Sequence, residues 1–175
     1  LGGYVLFGRD YQDSEGNWLT REAFLQSIQA DQTAAQADTG IPLLIGSDEE
    51  GGTVTRASRN PNLFETPFLS PQALLAVGGT ETLAADAASK SQGLLELGIN
   101  VNLAPVCDVS TNAQDFIYDR TCGLMASDTA QAVAAQVEAM RSAGIGSVLK
   151  HFPGYGSNTD THTGAAVDQR PLEEF

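Results

Sequence analysis

The sequence predicts an α/β fold, a partial (β/α)8 TIM-type barrel of about four consecutive βα units with parallel strands. Three observations lead there. Short runs rich in Leu, Val and Ile alternate with longer stretches of helical periodicity, in the order β, α, β, α, β, α, β. Strands covered on both faces read as such apolar runs, and helical crossovers between them make the sheet parallel. A spacing of about 45 residues per unit fits a barrel of eight units, usually roughly 250 residues long. The 175 residues present leave room for about half of that.

Residues 4–7, Tyr-Val-Leu-Phe, form the first expected strand, closed by Gly8-Arg9-Asp10. Thr20 supplies a side-chain cap for a helix over about residues 21–37, with Phe24, Leu25 and Ile28 as its apolar stripe. Gly40 ends that helix. Residues 41–45, Ile-Pro-Leu-Leu-Ile, are a second strand entering the acidic turn Ser47-Asp48-Glu49-Glu50-Gly51-Gly52. The stretch 53–79 is less regular and holds a short helix capped by Ser70, with Pro71 at its first position. Thr80 caps the next helix, which Gly98 stops, and residues 99–106 make a third strand. A polar loop follows, carrying residues 115–123. A further helix over about 128–143 stops at Gly144, before a strand over 147–150. Pro171 after Arg170 reads as the first turn of one more helix.

Composition narrows the function. There are 22 acidic against 9 basic side chains, a formal net charge of −13, which would repel nucleic acid or an anionic membrane surface. No apolar run approaches the roughly 18 residues of a membrane span. With 42% hydrophobic residues the chain can build one core and is expected to form a single domain over 1–175. It opens without Met on a strand and stops inside an expected helix, so it is expected to be an incomplete domain from a longer protein. Cys107 and Cys122 are too few for a disulfide framework and read as two separate thiols, with a bridge between them as the alternative.

In a parallel α/β architecture the loops after the strands face the active site. Arg9, Asp10, the segment 48–52, Asp108, Lys150 and His151 all stand there, which favours an enzyme. The chain's two histidines, His151 and His162, share a 12-residue window with Asp160. Histidine exchanges protons near neutrality, and a carboxylate two positions away can orient the ring or raise its basicity. Capped surface histidines explain the same window equally well. Runs such as Asp48-Glu49-Glu50 bind a cation or sugar hydroxyls, but they are more often solvated turns, which spacing alone favours.

Lys150-His151-Phe152-Pro153-Gly154-Tyr155-Gly156, followed by Asp160-Thr161-His162, resembles the signature loop of glycoside hydrolase family 3 in its β-N-acetylhexosaminidase branch. The resemblance continues along nearly the whole chain in the right order. Residues 2–10 resemble that family's second barrel strand, and Ile45-Gly46-Ser47-Asp48-Glu49-Glu50-Gly51-Gly52 with Arg56 resembles the third. Asn102-Leu103-Ala104-Pro105-Val106-Cys107-Asp108 resembles the fourth, and Asp119-Arg120-Thr121-Cys122-Gly123 the substrate loop. The resemblance implies that Asp48, Arg56, Arg120, Lys150 and His151 line a pocket for one sugar. It implies that His162 is the general acid/base, with Asp160 its partner in a dyad, and that no metal or organic cofactor takes part.

The implied reaction is retaining exo-hydrolysis of terminal β-linked N-acetylglucosamine from cell-wall or chitin-type oligosaccharides, in two steps. The family's nucleophile is an aspartate after a later strand, and no residue here matches it. The family's first barrel strand and the C-terminal half are likewise unmatched, so the chain alone is expected to be inactive, with strand edges open to association. Tyr155 stands where relatives often carry His, which removes one polar contact. Cys122 replaces a position that is usually aromatic. A β-glucosidase or a glycoside phosphorylase of the same family are alternatives, as is a non-catalytic sugar-binding paralogue. A different class is a metal-dependent hydrolase using His151, Asp160 and His162. Relatives occur in the bacterial cytoplasm and outside the cell, and the acidic, lysine-poor composition leans towards the exterior.

Overall fold

The computed structural model describes residues 2–168, 170 and 171. Of the first helical turn expected over 170–174, residues 172–174 lie outside those described. Strand β1 (Gly3–Leu6) is closed by a 3-10 turn over Gly8–Tyr11. Helix α1 (Arg21–Thr39) begins where the cap chemistry requires, with Thr20 Oγ1 accepting the Ala23 N–H at 3.2 Å. It ends at Gly40, whose φ of 71° favours glycine. Phe24 and Ile28 are buried, and Leu25 packs against them.

Strand β2 (Leu44–Ser47) starts three residues later than the apolar run suggests. Gln32 of α1 takes both backbone groups of Leu43, accepting its N–H at 2.8 Å and donating to its carbonyl at 3.0 Å. Pro42 has no N–H to offer, so the ladder begins after these two residues. Helix α2 (Pro71–Glu96) is capped by Ser70 and interrupted at Gly78 and Gly79, whose φ/ψ values are non-helical. The two helices expected on either side of that point are therefore both present, end to end.

Strand β3 is only Val101–Asn102, shorter than the eight residues expected. The Asn102 side chain leaves the sheet pattern to bind the backbone of Glu49, accepting its N–H at 3.0 Å and donating to its carbonyl at 3.1 Å. Parallel pairing resumes at Val106, opposite Lys150. Helix α3 (Ala126–Ala143) starts two residues before Asp128 and stops at Gly144. Strand β4 (Gly146–Ser147) follows, beginning one residue before the expected run and ending sooner.

The four strands form one parallel sheet in chain order, β1-β2-β3-β4. This is the α/β half-barrel pattern read from the sequence. Ile45, Leu94, Leu97 and Ile99 are fully buried where the sheet meets α2. Cys122 belongs to a second apolar cluster with Leu74, Leu83 and Ala132, and both cysteines are free thiols. Among the described residues no helix is long and apolar enough to cross a membrane. Because the strands are parallel, Asp10, Asp48, Asp108 and Lys150 all emerge on one rim.

Candidate active site

The acidic turn after β2 is not solvated, contrary to the reading from spacing. Glu49 is fully buried and Glu50 nearly so. Glu49 Oε2 accepts the backbone N–H groups of Arg56, Ala57 and Ser58 at 3.0, 2.8 and 3.2 Å, while Oε1 accepts the Ser58 hydroxyl at 2.5 Å. One carboxylate thus ties residues 56–58 back under the turn and sets where Arg56 begins. Burial pushes the Glu49 carboxyl above its ordinary value, with these hydrogen bonds and the charge of Lys90 opposing. Gly51 is required at its position, because φ is 99° and a Cβ would meet the Leu69 carbonyl oxygen at 2.1 Å.

Above that frame stands a knot of opposite charges. Lys150 Nζ lies 2.6 Å from Asp48 Oδ1 and 2.5 Å from Glu50 Oε1. Arg120 grips Glu50 with two parallel bonds, Nε to Oε2 at 2.9 Å and Nη2 to Oε1 at 2.8 Å. Burial works against the Arg120 charge, but the hydrogen bond and charge of Glu50, with the charge of Asp108, together outweigh it and hold the guanidinium above its ordinary pKa. Arg56 Nε is 4.0 Å from Asp48 Oδ2 and, though buried, makes no hydrogen bond among the described residues.

His151 joins the knot through Arg120, whose Nη2 lies 3.2 Å from His151 Nε2. Arginine can only donate, so Nε2 accepts and the proton sits on Nδ1. That Nδ1–H points at Asp108 Oδ2, 2.6 Å away. Asp108 also accepts the N–H groups of His151 at 2.9 Å and Tyr155 at 2.6 Å. Burial would raise the Asp108 carboxyl, but the bonds from the His151 side chain, Tyr155 and the His151 backbone outweigh it and hold it below the ordinary carboxylate range.

Asp160 and His162 pair on the neighbouring loop. His162 donates its backbone N–H to Asp160 Oδ1 at 2.9 Å, and its Nδ1 lies 2.7 Å from the same oxygen. The Asp160 carboxyl is lowered by the backbone and side-chain bonds from His162, with a smaller contribution from the charge of Arg120. The His162 side chain is 76% exposed and Asp160 26%, so Nε2 faces outward. Tyr155 makes a polar contact of its own, its hydroxyl 2.8 Å from Thr161 Oγ1. Its ring stands edge-on to His151 with centroids 5.0 Å apart. A cavity of about 340 Å3 runs along this loop, lined by His151, Phe152, Tyr155, Asn158, Thr161 and Asp168 among others.

Asp48, Arg56, Arg120, Lys150 and His151 therefore meet in one connected network, and Asp160 and His162 form a separate pair beside it. Glu50 and Asp108 sit at the centre of the network; the sequence placed both among the polar residues at the strand ends and gave neither a role in the sugar pocket. Their position just after strands was the available signal. His151, Asp160 and His162 do not converge on a common point, and among the described residues no group of three or more His, Cys, Asp or Glu side chains is arranged to hold a metal.

The family model for the glycosyl hydrolase family 3 N-terminal domain matches residues 1–175. Beta-hexosaminidase A of Pseudoalteromonas piscicida is 34% identical over 166 residues, covering 94% of this chain and 27% of that protein. A beta-hexosaminidase of Idiomarina loihiensis is 30% identical over 186 residues, covering 100% of this chain and 50% of its own length. The chain thus spans half or less of these curated relatives. Among solved structures, a glycoside hydrolase family 3 beta-N-acetylglucosaminidase from Paenibacillus sp. superposes with a TM-score of 0.76 at 32% identity, over 93% of this chain and 29% of the other.

Proposed function

Because the chain belongs to glycosyl hydrolase family 3, we propose that it supplies the sugar-binding and proton-transfer parts of a retaining exo-β-N-acetylhexosaminidase. The substrate is a terminal β-linked N-acetylglucosamine on a cell-wall or chitin-type oligosaccharide. The observation that carries this reading is the knot of Asp48, Glu50, Lys150, Arg120 and Arg56 with a histidine–carboxylate pair beside it. Carboxylate oxygens accept from sugar hydroxyls and the cations donate to them, so such a cluster can satisfy the vicinal hydroxyls of one pyranose. The hexosaminidase names of the relatives support the choice of sugar.

In this mechanism Asp160 holds the His162 Nδ1–H and fixes the tautomer, leaving Nε2 for proton exchange. A carboxylate nucleophile attacks the anomeric carbon, the glycosidic C–O bond breaks, and imidazolium His162 gives its Nε2 proton to the leaving oxygen. Neutral His162 then takes a proton from water as the hydroxide oxygen displaces the enzyme ester, with net retention. No residue of this chain is assigned as the nucleophile, so the 175 residues alone are expected to bind sugar without turnover. The uncovered edges of β1 and β4 are expected to pair with further strands or with a second copy.

The test is nitrophenol release by the complete gene product from a β-N-acetylglucosaminide and a β-glucoside. Preferred turnover of the N-acetyl sugar is expected. Preference for the glucoside would move the reading to a β-glucosidase, and sugar binding without turnover would make it a binding protein.

A further inference from the structure

Lys90 is the one basic residue of α2, and it is 95% buried. Burying an ammonium is costly unless it is paired and hydrogen-bonded. Its Nζ lies 3.1 Å from Asp86 Oδ2, one helical turn earlier, and 5.2 Å from the centre of the Phe68 ring. A third contact leaves the helix, with Nζ donating to the Glu50 carbonyl oxygen at 3.1 Å. A pair of Asp86 and Lys90 closed on itself would do nothing that apolar side chains could not do better in the same slot. The bond to Glu50 is what distinguishes this lysine.

Glu50 is the hub of the charge knot, since its carboxylate holds both Arg120 and Lys150. Its backbone is fixed on both sides. The Glu50 N–H donates to the Val54 carbonyl at 3.0 Å, and the Glu50 carbonyl accepts from Lys90. The surroundings of Lys90 are fixed as well. Gly52 donates its N–H to the Phe68 carbonyl at 2.9 Å, and Phe68 donates its own to Ser58 Oγ at 3.3 Å. Lys90 thus closes a frame that runs from α2 through the acidic turn to the residues that face the sugar.

We propose that Lys90 is a positioning residue for the sugar pocket. It acts through the Glu50 carbonyl to hold the Glu50 carboxylate, and with it the spacing of Arg120 and Lys150. The proposal rests on the reading of that knot as the sugar site and assigns Lys90 no contact with substrate. Where the hydroxyl contacts that Glu50 sets act alike in the ground and transition states, their loss raises KM and spares kcat.

The experiment measures nitrophenyl β-N-acetylglucosaminide turnover by the complete gene product as wild type, Lys90→Met and Phe68→Leu. Lys90→Met keeps the stem and removes the donor, whereas Phe68→Leu disturbs the same packing and leaves the bond to Glu50. Lys90→Met is expected to raise KM by about tenfold or more, the scale of a lost charge-assisted bond. Its kcat should stay within about threefold and its pH profile unchanged. Phe68→Leu should leave KM within about threefold, whatever its melting temperature. Should Lys90→Met not fold, Lys90→Leu, which also has no donor, carries the same expectation. An unchanged KM in the lysine variant, or equal rises in both variants, overturns the positioning role while leaving the hexosaminidase reading intact. A wild type that turns over no N-acetylglucosaminide overturns that reading, and this proposal with it.

Discussion

Glu49 and Asp108 are both buried carboxylates that receive only donors, and they should answer differently to loss of charge. At Glu49, three backbone N–H groups share Oε2 and a hydroxyl meets Oε1. A glutamine fits, because the Ser58 hydroxyl can turn and accept from the new amide. At Asp108 both oxygens face backbone N–H groups, from His151 and Tyr155, so an asparagine must aim its NH2 at a donor. Glu49→Gln should therefore change stability by less than about 1 kcal/mol, and Asp108→Asn should cost roughly 1–3 kcal/mol. Denaturant midpoints of the two variants measure this, and equal losses would contradict it. The pH dependence has opposite signs. Asp108 has a lowered folded pKa, so its contribution is full above the ordinary carboxylate value and is lost as pH falls through the folded one. Glu49 has a raised folded pKa, so its contribution is full below the ordinary value and declines as pH rises through the folded one. Thermal melts against pH should thus show Glu49→Gln flattening the decline on the neutral side and leaving the acid limb. Neither residue's role was legible in the sequence. Glu49 is covered by Ser58 and Asn102, 9 and 53 positions away, and a run of three acids carries no sign of that cover. Asp48, Lys150 and His151 stood on the rim by strand position, whereas Arg56 and Arg120 were reached only through motif resemblance, which also supplied the sugar-pocket role of all five.

Helix ends were the most legible feature of the elements, because capping is local chemistry. Thr20, Ser70, Gly40 and Gly144 act where their residue types indicate. Strand extents were less legible, because side chains from elsewhere decide them. Gln32 takes the backbone of Leu43, and Asn102 turns its amide to the acidic turn. Lys90, inside α2, was given no role from the sequence, because the acidic turn and Phe68 that cover it come from distant parts of the chain. The turn after β2 makes its own prediction. Gly51 has φ of 99° and faces the Leu69 carbonyl, so Gly51→Ala should cost about 1–3 kcal/mol. It should also weaken sugar binding, because Glu50 precedes it directly. A wild-type denaturation midpoint in that variant would contradict the account of the turn.

At the scale of the whole molecule, the parallel order and the common rim followed from the alternation of apolar runs and helices, and the structure has them. Among the described residues, β1 pairs only with β2, and β4 only with β3. Val5, Leu149 and Phe152 near those edges are exposed, Phe152 by 98%. The 175 residues expressed alone should therefore associate, and sedimentation should show species larger than a monomer that Val5→Lys reduces. A clean monomer at high concentration would contradict this. Proton transfer by His162 is tested by turnover of nitrophenyl β-N-acetylglucosaminide by the complete gene product and its His162→Ala variant. Azide, a nucleophile that needs no general base, is added in a parallel series. Turnover is expected to fall roughly 10²–10⁴-fold in the variant, with azide restoring much of it as glycosyl azide. Wild-type turnover in the variant, or a loss that azide does not relieve, would contradict that role of His162.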